Sequence, residues 1–177
     1  MTKTMIWTAR YADKDTVAEM RANPEEIGAF VSGFDLNEDL LDAPAEEHNP
    51  AIPFDVDTQW QTIHYLLTGS AGATDDPLSV IVGRFEKIGK DQGFGAAWLI
   101  PAEAIAAADS ALSALTDADL RARFDPQAMA DDDVYMAQML VEDGEGGLDF
   151  FMDDVARVRS FLREGAKRKL DALAMIN

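Results

Sequence analysis

Apolar residues recur at helical spacing through much of the chain, most clearly in the segment 55–69. One face of this predicted helix carries Trp60, Ile63, His64 and Leu67. Asp55 or Asp57 can cap the free N–H groups at its start. Gly69 can adopt the left-handed conformation that ends a helix. The pattern therefore places His64, the only histidine outside the acidic loop described below, on an inward-facing surface.

Four further helical segments are predicted from the same periodicity. They cover 13–22, a second segment opened by Asn23-Pro24-Glu25, an alanine-rich segment 101–115, and a short segment that Thr116 and Asp119 cap and that ends near Phe124. A long C-terminal helix is predicted to run to about Met175, with apolar positions at Phe151, Val155, Val158, Leu162, Ala166, Leu170 and Leu173. Within it, Gly165 allows either close approach of a neighbour or a bend.

Short runs of β-branched and aromatic residues predict three strands, over 4–11, 84–88 and 95–100. The last two are joined by a polar turn with two glycines and form a predicted hairpin. The apolar run 78–82 fits either a short helix or a strand. The predicted fold class is α+β: a mostly helical single domain, 1–177, with a small antiparallel sheet, made of the N-terminal strand and the central hairpin, packed against helices.

Two segments are predicted to lack regular structure. The acidic segment at about 35–54 contains several prolines and is expected to be an irregular loop. Residues 142–147 are rich in glycine and acid and are expected to be flexible. Residues 38–53 are not expected to contribute to a core.

A set of spaced motifs resembles the YfbM-like family of bacterial proteins of unknown function (domain of unknown function 1877). The motifs are Trp60, His64, Leu67-Thr68-Gly69, the hairpin turn 89–95, the helix opened by Pro101-Ala102-Glu103, Val134-Tyr135, and the C-terminal helix with its aromatic and basic residues. They span nearly the whole chain. The family usually has proline where this chain has Met136, so the resemblance does not predict the conformation of the turn after Tyr135. The resemblance implies an α+β fold and brings no known activity or catalytic residue.

Amino-acid composition excludes several classes of protein. At 177 residues the chain is long enough for one domain with a substantial core. It contains no cysteine, which excludes disulfides, thiolate metal sites and a catalytic cysteine. The first residues lack the apolar run of a signal peptide, and no segment has the length and polarity of a membrane span. A cytoplasmic location is therefore expected.

Acidic residues dominate the charge pattern, giving a formal net charge of −18. Such a field repels phosphate backbones, so nucleic acid is not expected as a partner. The stretches 35–57 and 125–154 contain eight and ten acids and no lysine or arginine, whereas the last helix is basic. These stretches are open to two interpretations: carboxylates that keep the protein soluble and pair with the basic helix, or a surface for a basic partner, with Asp131, Asp132 and Asp133 as candidate contacts.

Two motifs suggest catalysis. Asp55-Val56-Asp57-Thr58 matches the Asp-x-Asp-x-Thr start of haloacid-dehalogenase-type phosphatases. That chemistry requires a preceding buried parallel strand, and Pro53 interrupts the one available, so the two aspartates are interpreted as helix caps. His64 can act as a base or a hydrogen-bond centre, or it can be a core histidine with a backbone partner.

A speculative ligand pocket combines Trp60, His64, Asp91 and Tyr135, with His64 and Asp91 as catalytic candidates. No metal site is predicted, because two histidines without cysteine cannot form a multi-histidine centre and Asp131-Asp132-Asp133 lacks a calcium-loop pattern. The turn 89–95 lacks the glycine spacing of a nucleotide site, and no cofactor is predicted.

Two hypotheses follow from these observations. One is a binding protein of the inhibitor or immunity type, whose acidic surface meets a basic protein. The other is a small-ligand-binding protein or hydrolase with a pocket at His64. The sequence favours contact over catalysis, because it contains two base-free acidic stretches and no assembled catalytic set.

Overall fold

A five-stranded antiparallel sheet forms the centre of the protein. The computed structural model describes residues 4–36 and 50–177. The strands are β1 (Trp7–Ala12), β2 (Phe54–Asp55), β3 (Glu86–Ile88), β4 (Ala97–Ile100) and β5 (Asp171–Ile176), in the spatial order β2-β1-β5-β4-β3. The predicted α+β class, the N-terminal strand and the central hairpin are confirmed. Most of the predicted acidic loop, residues 37–49, lies outside the described residues.

Helices and 3₁₀ turns connect the strands. The α-helices are α1 (Lys14–Ala22), α2 (Ile27–Ser32), α3 (Trp60–Thr68), α4 (Ala102–Ser113), α5 (Asp117–Arg121), α6 (Pro126–Asp131), α7 (Ala137–Asp143) and α8 (Leu148–Arg168). The 3₁₀ turns are Pro24–Glu26, Asp57–Gln59 and Gly144–Gly147. No helix within 4–36 and 50–177 combines the length and apolar character needed to cross a membrane.

The end of the chain corrects one prediction. The C-terminal helix stops at Arg168, and β5 follows, pairing with both β1 and β4. Lys169 ends the helix in the left-handed conformation, at φ 55°, with its N–H directed to the carbonyls of Gly165 and Ala166. Leu170 and Leu173 fit helical spacing by coincidence. A strand that is buried on both faces of a sheet is a continuous apolar run, so it lacks the alternation of apolar and polar residues that would mark it as a strand.

Both faces of the sheet are covered, which explains why every residue of β1 is buried. Trp7, Ala9 and Tyr11 point into the larger core, which α3, α4 and α8 complete. Ala12 points into the smaller core with Val17 of α1. The larger core will be called the α3 layer, and the smaller one, on α1 and α2, the α1 layer. This division decides which candidate residues can meet.

Other local predictions need correction. Residues 78–82 form turns, neither helix nor strand. Residues 142–147 continue α7 and then form a 3₁₀ turn, where a segment without regular structure was predicted. Helices α6 and α7 were not predicted from sequence, because each spans at most seven residues and gives too few turns for a clear period. The capping box at Thr116 and Asp119 is confirmed.

Gly165 marks a close crossing of α8 with its neighbours. A methyl group at this position would lie 2.8 Å from Cε1 of Tyr11 and 3.0 Å from Cγ2 of Ile105. The Tyr11 hydroxyl donates to the carbonyl of Phe161, and the two rings stack at 4.6 Å. Of the two roles left open by the sequence, close approach is therefore the one that the structure shows.

Charged side chains from distant parts of the sequence form hydrogen bonds with free backbone groups at helix ends. The buried carboxylate of Asp171 accepts from the N–H of Ala102 at 2.8 Å, at the start of α4. Arg159 donates to the carbonyls of Leu112 and Leu115 at the end of α4, at 2.7 and 3.1 Å. These contacts satisfy backbone groups that a helix leaves free at its ends and connect α4 to β5 and α8.

Candidate functional site

Helix α3 carries the strongest sequence candidates, and its start differs from the predicted cap. The Asp55 carboxylate accepts from the N–H of Asp57 at 3.1 Å, so it stabilises the turn before the helix. Asp57 adopts φ 51° and begins the 3₁₀ turn, and no side chain caps α3 itself. At the other end Gly69, at φ 73°, donates to the carbonyl of Tyr65 at 2.7 Å, as expected.

His64 lies fully inside the α3 layer, with no exposed surface. Its Nε2 is 2.9 Å from the carbonyl oxygen of Gly72. A carbonyl can only accept, so Nε2 carries the proton in the neutral ring. Nδ1 has no hydrogen-bond partner among the described residues. Burial lowers the pKa of His64, and the bond to Gly72 opposes that effect only in part.

Other side chains of α3 form hydrogen bonds with the segment that follows this helix. Gln61 donates through Nε2 to the carbonyl of Ala71 at 2.9 Å, and its Oε1 accepts from the N–H of Tyr135 at 2.7 Å. Thr68 Oγ1 accepts from the N–H of Ser70 at 3.2 Å. Gln61 was not a sequence candidate, because nothing local distinguishes a glutamine that bridges two distant segments. His64 therefore belongs to a set of contacts that hold the segment 69–72 against α3.

Trp60 and Tyr135 lie together beside the N-terminal strand. Their rings stack at 6.3 Å between centroids. Trp60 donates through Nε1 to the carbonyl of Met5 at 3.2 Å, and the Tyr135 hydroxyl accepts from the N–H of Met5 at 3.4 Å. The pair thus packs against the chain before β1.

Asp91 lies in the other layer. Its Oδ1 accepts from the N–H groups of Gly93 and Gly95, at 2.6 and 3.0 Å, and so shapes the hairpin turn. The turn packs on the α1 layer, since a methyl group at Gly89 would lie 3.2 Å from the carbonyl oxygen of Pro24. The structure therefore brings Trp60 and Tyr135 together and places Asp91 across the sheet from His64.

Asp55 and Asp57 do not have the setting of a phosphatase. The strand before them, β2, is a two-residue antiparallel edge strand paired with β1. Asp55 lies near the buried Asp154, whose pKa is raised by burial and, to a smaller extent, by the charge of Asp55, while Arg157 opposes the shift. No group of three metal-binding side chains occurs in the described part of the chain.

A groove of ≈ 700 Å³ lies on the α1 layer. Its lining includes Thr8, Gly28, Ser32, Asp55, Gln92 and Asn177. None of Trp60, His64, Asp91 and Tyr135 contributes to it. The concave surface and the predicted pocket are therefore separate.

Asp131, Asp132 and Asp133 lie exposed at the end of α6. Asp131 accepts from Gln127 at 2.9 Å. Burial and then the charge of Asp132 raise the pKa of Tyr65. Asp133 adopts φ 56°. Acids at the end of a helix face the negative end of its dipole, so helix stability does not account for these three charges.

The wider stretch 125–154 carries charge that the described residues do not neutralise. Of its ten carboxylates, only Asp149 and Asp154 form ion pairs with described cations, namely Arg121 and Arg157. Two other basic side chains of α8 pair outside this stretch: Arg159 with Asp117, and Arg168 with Glu164. This surface, the acidic carboxylates of 125–154, will be called the acidic surface.

The fold and these contacts define an α+β protein with a buried histidine network and an acidic surface. The chain belongs to the family defined by a domain of unknown function (DUF1877), whose model matches residues 4–175. Its structure is similar to that of YfbM from Escherichia coli, a protein of unknown function. The similarity has a TM-score of 0.65 at 21% sequence identity, over 98% of this chain and 99% of that one. None of the curated proteins matches the chain.

Proposed function

We propose that this protein acts by binding a basic protein stoichiometrically, in the manner of an inhibitor or immunity protein, through the acidic surface. The observation that carries the proposal is the lack of internal neutralisation: eight of the ten carboxylates in 125–154 form no ion pair with a described cation. Internal pairing with the basic C-terminal helix is limited to Arg157 with Asp154, whereas Arg159 and Arg168 of that helix pair outside the acidic surface.

Uncompensated charge of one sign has a known effect on association. It raises the local concentration of oppositely charged partners and accelerates their approach. It also disfavours contact with acidic molecules. A partner recognised this way is basic, and its binding weakens as salt is added.

A pocket at His64 gains no support from the contacts. The ring is fully buried, its Nε2 is bonded to Gly72, and Asp91 lies in the other layer. A substrate would have to open the core to reach it. A hydrolase or small-ligand site at His64 is therefore the weaker alternative.

The test is affinity capture from native lysate at low salt, eluted with a salt gradient. Three proteins are compared: the wild type, the Asp131→Lys/Asp132→Lys/Asp133→Lys variant, and a matched Glu19→Lys/Glu25→Lys/Glu26→Lys variant. The control acids are also exposed but lie on the α1 layer. We expect one basic protein, bound in equal amount, that the first variant loses and the control retains. Equal capture by both variants would contradict the proposal.

A further inference from the structure

Exposed apolar side chains are concentrated on one stretch of the acidic surface. Five large apolar residues are exposed within the described part of the chain, and four of them lie between residues 136 and 150. They are Met136, Met139, Val141 and Phe150, which are 40%, 52%, 39% and 57% exposed. The fifth, Phe34, follows α2. We call the four side chains the apolar patch.

Local structure explains why these side chains face outward. Met136 adopts φ 62° and precedes α7, and the N–H of Met139 donates to its carbonyl at 3.1 Å. Met136 therefore lies just before the helix, and Met139 lies in its first turn. Ala137 is buried and provides the inward contact of this helix. The outward orientation is thus fixed by the packing of the opposite side of α7.

Phe150 is held in a similar way at the start of α8. Its neighbour Phe151 is buried and packs against Phe124 at 5.9 Å, which fixes the rotation of the helix. Phe150 contacts Phe151 only edge to face, at 6.0 Å. Burying the Phe150 ring would therefore require a partner.

Carboxylates occupy the part of the chain between Val141 and Phe150. Glu142, Asp143, Glu145 and Asp149 are all exposed in the same stretch, and only Asp149 has a cationic partner among the described residues. Methionine side chains adapt their shape to different apolar partners, and exposed methionines occur on surfaces that bind amphipathic helices. The surface thus offers adaptable apolar contacts beside uncompensated negative charge.

We infer that the apolar patch docks a basic amphipathic helix of the partner protein, with its apolar face on Met136, Met139 and Phe150 and its lysines or arginines against the surrounding carboxylates. This inference rests on the proposed function and specifies the partner's chemistry. A second copy of this chain is a poor occupant, because each copy carries a formal net charge of −18.

The test uses two synthetic peptides and isothermal titration calorimetry at low salt. One is a helical peptide with leucines on one face and lysines on the other, and the second is an oligolysine of equal charge. We expect the wild type to bind the amphipathic peptide with one-to-one stoichiometry and more tightly than oligolysine. Met139→Ser/Phe150→Ser should weaken that binding about tenfold or more. Phe34→Ser is the matched control, because Phe34 is 84% exposed and lies outside the patch, and it should bind as the wild type does.

Three results would overturn the inference. Equal binding of both peptides, unaffected by Met139→Ser/Phe150→Ser, would show that charge acts without the apolar patch and would leave the proposed function standing. Binding of neither peptide would also exclude the docking face, while the capture experiment decides the proposed function separately. Wild-type self-association in sedimentation velocity that Met139→Ser abolishes would show that a second copy covers the patch.

Discussion

His64 shows how far a single residue can be interpreted from sequence. Helical spacing predicted its inward position, and the structure confirms that it is buried. Its partner, the carbonyl of Gly72, could not be predicted, because backbone acceptors carry no sequence signature. The conformation of the turn after α3 decides which carbonyl lies within hydrogen-bond distance of the ring. Asp91 gave a local signal of a different kind: an aspartate between glycines, which forms hydrogen bonds within its own turn.

The buried ring predicts a pH dependence of stability. Burial lowers the pKa of His64 in the folded state below its unfolded value of about 6.5, so the unfolded chain binds the proton more readily. The stabilising contribution is present above pH about 6.5 and is lost as the pH falls below it. We expect His64→Gln to have a smaller loss of unfolding free energy between about pH 7.5 and pH 5.5 than the wild type, measured by urea denaturation. Parallel pH profiles would contradict this assignment.

At the scale of elements, some helix starts depend on a local capping group. Asp13 caps α1 and Thr116 caps α5, each within three residues of the N–H that it accepts from. The start of α4 is stabilised by Asp171, which lies 69 positions further along the chain. The end of α8 was missed for the same reason: the run after Lys169 becomes a strand only because β1 and β4 lie on either side of it.

Gly165 allows the close packing of α8 on β1 and α4. Gly165→Ala should destabilise the protein by about 1–2 kcal/mol, because crowding of about 1–3 kcal/mol outweighs a helix-propensity gain of up to about 1 kcal/mol. Gly146→Ala is the matched control, since no heavy atom lies within 4 Å of an added methyl group there. Its unfolding free energy should change by less than about 0.5 kcal/mol in the same denaturation assay. Equal effects of the two substitutions would argue against a close-packing role for Gly165.

At the scale of the whole molecule, net charge limits stability. A formal charge of −18 on 177 residues repels itself in the compact state. We expect the melting temperature to rise between about 0.01 M and about 0.15 M sodium chloride, where the screening length falls from about 30 to about 8 Å. Asp131→Asn/Asp133→Asn should show a smaller rise in calorimetry. A melting temperature independent of salt would show that the acidic surface is already neutralised in the fold.

The sequence by itself determined the fold class, the hairpin, the buried position of α3, the capping of α5, and the uneven charge. These features depend on local periodicity, local hydrogen bonds or composition, which one chain displays directly. Tertiary structure alone decided that β5 lies between β1 and β4, that Asp91 and His64 lie in different layers, and that most carboxylates of 125–154 lack cationic partners among the described residues. Those outcomes depend on contacts between segments far apart along the chain, and no local pattern encodes which distant groups will meet.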